Sequence, residues 1–294
     1  PLPTPQIAQR TLPNGLTVWV VPRDGLPKVN VALAVLGGTA ADEAATPALS
    51  EMMARLLNEG TASRSSRDIA EALQAIGGDY SAGTGDDSIN IRASALASHA
   101  SKLLELVADT ALHPSFPANE VALAKANALQ GLKVQEADPD WQAQRAFGHA
   151  AYSEHPYSRD SLNEASVQSA SPDSLRALHD ARFRPDRALL VIVGRIDANT
   201  AFHLVEQQFG DWKATGKALA DTAPAPREAA PQRLLVPRDG AVQSNIRYGR
   251  PAVPANDPDY IPLTVANTIL GGGFTSRITQ DIREDKGYSY SPWS

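Results

Sequence analysis

Two short apolar runs near the start of the chain, Leu16–Val21 (LTVWVV) and Val29–Val35 (VNVALAV), bracket a Pro- and Gly-containing turn and predict two strands. The period then changes. Leu49, Met52, Met53, Leu56 and Leu57 fall at helical spacing and give one buried face to a helix starting near Pro47, with Thr46 as its N-cap and Pro47 at its first position. A second helix is predicted from about Ser66 to Ile76, stopped by Gly77-Gly78, and Ser88–Leu96 (SINIRASAL) alternates as a half-buried strand does. Helices are expected at about 99–111, 117–136, 139–152 and 171–182, the last capped by Ser171 with Pro172 behind it. Arg187–Val193 (RALLVIV) then reads as a buried strand and Asn199–Phe209 as another helix.

The pattern stops between Ala214 and Gln232, where Ala, Pro and Thr dominate and several prolines favour an extended connector. After it the first part begins again. Val21-Pro22-Arg23-Asp24-Gly25 recurs as Val236-Pro237-Arg238-Asp239-Gly240, each time after a β-rich run and before a second strand, a loop and a long helix. Ser63–Ile69 (SRSSRDI) has its counterpart at Ser276–Ile282 (SRITQDI) at nearly the same offset. Two matches in one register predict a duplicated domain. The expected organisation is a first domain over 1–213, a linker over 214–232 and the start of a second domain over 233–294, cut short after its second helix, as in a fragment of a longer subunit.

Composition narrows the function classes. With 294 residues, 43% of them hydrophobic, the chain can bury a large core. A net charge of -6 leaves no basic footprint, so no nucleic-acid partner is expected. The absence of cysteine removes disulfides, thiolate nucleophiles and Cys-type zinc sites together. No apolar run approaches the roughly 18–20 residues that span a bilayer, so no membrane span is expected. The start at Pro1 without a methionine suits a trimmed chain, and a removed secretion signal would place the protein in the periplasm or outside the cell, otherwise in the cytoplasm.

The order strand, strand, helix ending in Glu59-Gly60-Thr61, the segment His155–Leu162, the strand Leu189–Asp197 and the run Ile269–Ser291 (ILGGGFTSRITQDIREDKGYSYS) together resemble the pitrilysin and mitochondrial-processing-peptidase family of zinc metallopeptidases, the inverzincins. The resemblance covers essentially the whole chain. It implies an α+β fold of duplicated LuxS/MPP-like domains, each a mainly antiparallel sheet covered by helices, with the second domain incomplete here. Active members carry H-x-x-E-H on the first long helix and a further glutamate downstream. Two histidines at i and i+4 grip Zn²⁺ from one helical face, and the glutamate polarises the metal-bound water. Aligned on Glu-Gly-Thr, the matching positions here are Glu51, Ala54 and Arg55, and the third ligand falls at Gly131, or at Gln130 if the register slips by one. A carboxylate at 51 could ligate a metal, but Ala54 transfers no proton and Arg55 sets a permanent cation against the site. The chain therefore keeps the scaffold of a zinc centre without its ligands.

What the resemblance leaves in place lies in the second half. Arg283 and Tyr290 match an Arg/Tyr pair that in the family reaches a zinc centre in the opposite domain or subunit, the tyrosine hydroxyl facing the developing oxyanion and the arginine binding substrate backbone. Gly271, Gly272 and Gly273 match a loop implicated in substrate contact. The resemblance implies a homologous zinc-bearing partner subunit, unfolded peptide substrates, and zinc in the partner with no cofactor in this chain. The bland alternative keeps Arg283 in a helix-surface ion pair, Tyr290 in a strand core and the glycines as a helix cap. A docking subunit with no part in catalysis is the second functional reading. An independent enzyme has no support from the other residues. His149 and His155 are spaced by six, wrong for one helical face, His99, His113, His179 and His203 are isolated, and no nucleophile elbow is present. The stretch Leu270–Ser276 (LGGGFTS) follows a helix rather than a strand and lacks the Gly-Lys-Ser/Thr of a phosphate loop.

Overall fold

A computed structural model of the protein describes residues 5–159, 161–216 and 219–294. The chain forms two compact units, one running to Ala225 and including Gln232–Arg247, the other made of Pro226–Pro231 and Tyr248–Ser294.

The first unit is α+β. Its strands are β1 (Ala8–Thr11), β2 (Thr17–Pro22), β3 (Lys28–Leu36), β4 (Asp79–Thr84), β5 (Ser88–Leu96) and β6 (Ala188–Gly194), joined in one sheet in the order β1-β2-β6-β3-β5-β4. Pairing is antiparallel except between β2 and β6, which run parallel with Val18 opposite Leu190 and Val20 opposite Ile192. The predicted strands β2 and β3 thus do not pair with each other. A strand from the far end of the unit is inserted between them, so the sheet closes only when residues more than 150 apart in sequence meet.

Alternation along the strands decides which face is buried. Val18, Val20, Val29, Val31, Leu33, Val35, Ile89, Ile91, Leu190 and Ile192 share the core face, and all are essentially inaccessible. Each such aliphatic side chain contributes about 1.5–3 kcal/mol on burial. The covering layer comes from α1 (Leu49–Arg55), α3 (Ala100–Leu112) and α8 (Ala198–Phe209), which pack on β4, β5 and β2 respectively. Around these lie α2 (Ser66–Ala75), α4 (Ala118–Ala137), α5 (Pro139–Tyr152), α6 (Glu164–Ser169) and α7 (Pro172–Arg182). Their starts are set by capping side chains. Ser65 and Asp68 form a capping box on α2, Ser171 and Ser174 another on α7 with Pro172 in its first turn, and Asp138 and Asp197 accept from the third residues of α5 and α8.

The start of α1 differs from the expectation. The helix begins at Leu49 after Ala48 in a left-handed conformation (φ 56°), and Thr46 caps nothing. The acceptor is instead Asp42, whose Oδ2 takes the Ser50 N–H at 3.1 Å and its hydroxyl at 2.7 Å. Asp42 is held there by Arg182, buried at the end of α7.

The second unit contains α9 (Tyr260–Leu270) and a π-helical turn at Thr279–Asp285, which stand where the repeat places counterparts of α1 and α2. The strands expected before them are not formed: residues 232–251 contain no strand among the described residues. In the first unit β2 and β3 are held by β5 and β6, which come from downstream sequence, and residues 252–294 supply no equivalent of either. Without those neighbours an isolated strand is not stable in water.

Candidate functional site

Three of the four zinc-position residues lie on α1 and the fourth on α4. Glu51 opens the first turn of α1 and Arg55 closes its last, and the two form an i,i+4 ion pair that suits the helix dipole at both ends. Ala54 is wholly buried. Gly131 sits on the exposed side of α4, where an added Cβ would meet nothing within 4 Å. A zinc ion needs three protein lone-pair donors. This set offers one carboxylate already paired with a guanidinium, a methyl group, a cation with no lone pair and a hydrogen atom. It does not fit the metal, and among the described residues no group of three or more His, Cys, Asp or Glu is placed to hold one. The Arg55 side chain keeps 68% of its accessibility, so the pair is a surface one. Arg55→Ala is expected to change stability by no more than about 0.5 kcal/mol, read from the urea midpoint.

Two of the histidines have structural roles. His179 is buried, its Nε2 donates to the Ala111 carbonyl at 2.8 Å and its ring stacks on Phe183 at 4.3 Å, with burial holding its pKa below the usual imidazole range. His155 Nδ1 accepts from the Tyr157 N–H at 3.2 Å. Tyr157 in turn donates to Asp87 at 2.7 Å, and partial burial followed by that contact pushes its phenol up to about 12.

In the second unit, the remaining predicted residues come together. Gly271, Gly272, Gly273, Arg283 and Tyr290, joined by Phe274, line one cavity of about 260 Å³. The local sequence builds it step by step. The N–H groups of Gly271 and Gly272 both donate to Asn267 O at 2.9 Å, ending α9. Gly273 O is then held by the Ser276 N–H at 3.0 Å and the Thr279 hydroxyl at 3.3 Å, while Ser276 and Thr279, both buried, bond each other at 3.0 Å. The Thr279 hydroxyl, itself held by that of Ser276, pins the glycine loop to the turn that carries Arg283. The two hydroxyls were legible only as a Ser-x-x-Thr spacing of the kind that opens helices. At the other end, Gly287 takes a left-handed φ of 65°, and the N–H groups of Gly287 and Tyr288 donate back to Arg283 O and Ile282 O at 3.1 and 2.9 Å. That reversal brings Tyr290 over Arg283.

The guanidinium carbon of Arg283 lies 4.4 Å from the Tyr290 ring centre and 4.8 Å from that of Phe274. Its Nε is 3.2 Å from the Glu284 carboxylate, and among the described residues its η nitrogens have no hydrogen-bond partner. Tyr290 is 80% exposed and lies in no strand. A guanidinium and a phenol thus line the same cavity as the glycine loop, and both groups can donate to carbonyl or carboxylate oxygens.

The profile of the family described as insulinase (peptidase family M16) matches residues 19–165, half of the chain, and that of the peptidase M16 inactive domain matches residues 169–294. The chain belongs to peptidase family M16. The seam between the two M16 profiles falls at α6. An uncharacterized zinc protease of Mycobacterium tuberculosis is 31% identical over 97% of this chain and 65% of its own length, so the chain spans about two thirds of that relative. Among solved structures, a peptidase M16 inactive domain from Pseudomonas fluorescens has the same fold, with a TM-score of 0.82 at 24% identity over 97% of this chain and 69% of that one. The periplasmic protease PqqL of Escherichia coli is similar with a TM-score of 0.69 at 17% identity, over 76% of this chain and 26% of its own. Among the described residues no helix is long and apolar enough to cross a membrane.

Proposed function

We propose that the protein is the zinc-ligand-free subunit of a two-subunit M16 peptidase, binding unfolded peptide and completing the active site of a zinc-bearing homologue through Arg283 and Tyr290. The observation that carries this reading is an asymmetry within one chain. The metal positions have been given over to an ion pair, a buried methyl group and a glycine, whereas Arg283, Tyr290 and the glycine loop are still gathered around one cavity. The match of residues 169–294 to a domain described as inactive supports the same division of labour. Zinc belongs to the partner on this reading, and this chain contributes donors.

The periplasm is the proposed compartment, supported by the description of the PqqL neighbour as periplasmic. Fractionation of the producing cell checks it.

A second reading, a docking subunit without catalytic contacts, draws on the Glu284 carboxylate beside Arg283 and on the use of Gly271 and Gly272 to end α9. One experiment separates the two. Hydrolysis of an unstructured peptide is measured for this subunit alone, for a homologue carrying H-x-x-E-H, and for the mixture, with Arg283→Ala/Tyr290→Phe compared in the mixture. Activity is expected in the mixture, none from this subunit alone, and loss in the double variant. Mixture activity indifferent to the double variant would establish the docking role, and hydrolysis by this subunit alone would overturn both.

A further inference from the structure

Besides Arg283 and Tyr290, the cavity is lined by the side chains of Phe274, Thr279, Ser291, Pro292 and Trp293, and of these Phe274 also contacts the Arg283 guanidinium. Phe274 follows the glycine loop directly, 72% exposed, with its ring centre 4.8 Å from the same guanidinium carbon that Tyr290 approaches at 4.4 Å. An arginine, for its part, is costly to aim. Its long side chain carries roughly 2 kcal/mol of rotamer entropy, and a guanidinium left free in solvent samples many directions before it meets a substrate oxygen.

The surroundings of Arg283 remove that freedom one direction at a time. Both stacking contacts are within the range at which an aromatic face attracts a cation. The guanidinium is planar and weakly hydrated at its faces, so aromatic contacts suit it better than they would an ammonium. Glu284 lies beside Nε at 3.2 Å and occupies the edge nearest the chain. What remains is the edge carrying the η nitrogens, beside the cavity that Gly271, Gly272 and Gly273 line. At about 260 Å³ the cavity is smaller than the roughly 300–1,000 Å³ of clefts that take whole small molecules. It suits a short piece of a longer chain.

We infer that Phe274 is a positioning residue, the second wall of an aromatic clamp that holds the Arg283 guanidinium with its η edge toward the peptide oxygen it binds. The inference rests on the proposed role of Arg283. It adds that the arginine is effective because it is pre-aimed, and that the clamp needs a ring at 274 rather than bulk. Tyr290 then has two separable parts, a ring that closes the clamp and a hydroxyl that does not.

The test uses the full chain mixed with its H-x-x-E-H homologue and an unstructured fluorogenic peptide, with active complex titrated for each variant and folding checked by circular dichroism. Phe274→Leu keeps apolar bulk and removes the ring. It is expected to raise KM about two- to fivefold with kcat unchanged, the size of an exposed cation–ring contact and the signature of an interaction made equally in ground and transition states. Phe274→Trp restores a ring and is expected to restore KM. Arg283→Ala sets the ceiling, and Phe274→Leu added to it should raise KM no further, since a clamp with nothing to hold is silent. A KM for Phe274→Leu equal to wild type while Arg283→Ala raises it would overturn the clamp and leave the role of Arg283 standing. Loss of kcat and KM together without rescue by tryptophan would also overturn it, as the mark of a general structural defect. Silence of both Phe274→Leu and Arg283→Ala would remove the clamp together with the reading it rests on.

Discussion

Arg182→Ala is expected to destabilise the first unit by about 3–5 kcal/mol, the cost of leaving a buried charge without its partner. The Arg182 and Asp42 side chains retain 3% and 1% of their accessibility. The guanidinium donates to the carbonyls of Gly37, Gly38 and Ala41 and meets Asp42 at 2.9 Å, and Asp42 in turn accepts from the Ser50 N–H and hydroxyl at the start of α1. One side chain thus ties the end of α7 to the loop after β3 and to the helix where the zinc positions lie. Lysine is not expected to rescue, because one ammonium cannot serve a fan of acceptors laid out for a planar fork. The pH dependence gives a second readout. Burial, the largest influence, already raises the Asp42 pKa above 3.8, opposed by Ser50 and by Arg182. Removing the arginine leaves the carboxyl higher still. A folded-state pKa above the unfolded one means that the folded protein holds its proton more tightly, so stability is fully retained below the unfolded value and lost as pH rises through the folded one. The defect of Arg182→Ala should therefore be smallest near pH 3.8, where the loss of the carbonyl contacts remains, and grow toward neutrality, measured as urea midpoints across that range. A loss under 1 kcal/mol, or one independent of pH, would contradict this account.

The same pair explains what the sequence could not tell about α1. Thr46-Pro47 is a sound local signal for a helix start. It loses to Asp42, whose position depends on a residue 140 places away in the chain. Elements with a full local signature were legible: β3 and β5 by alternation, α7 by its Ser171 cap and Pro172, α8 by its apolar face. Those missed are short or weakly apolar. β1 is four residues at the sheet edge, β4 is DYSAGT and α6 is EASVQS. The insertion of β6 between β2 and β3 is a tertiary fact with no local trace. The strands expected in the second copy show the converse, since an alternating pattern makes a strand only where neighbours exist to pair with it. At the candidate site, the spacing of Arg283 and Tyr290 and the run of glycines could be read directly. The stacking of Phe274 and the Thr279 hydroxyl pin could not, because they depend on the π-helical turn and on the reversal at Gly287.

On the proposed reading, Tyr290→Phe should lower kcat of the mixed complex by about 10²–10³-fold, the usual cost of one lost oxyanion donor. The substitution is unusually selective at this position. It leaves the ring that stacks on Arg283 at 4.4 Å and removes a single O–H. The clamp on the arginine survives, and with it the binding of peptide in the ground state, so KM should stay within about twofold of wild type by the logic that separates uniform binding from transition-state stabilisation. Arg283→Ala is expected to show the reverse emphasis, a raised KM with the larger share of kcat retained. The contrast matters because both residues line one cavity, and a general disturbance of that cavity would move both constants in both variants. A kcat unchanged by Tyr290→Phe would mean that the phenol never meets the reacting carbonyl, and the exposed Arg/Tyr face would then serve in holding the partner or the peptide rather than in the chemical step.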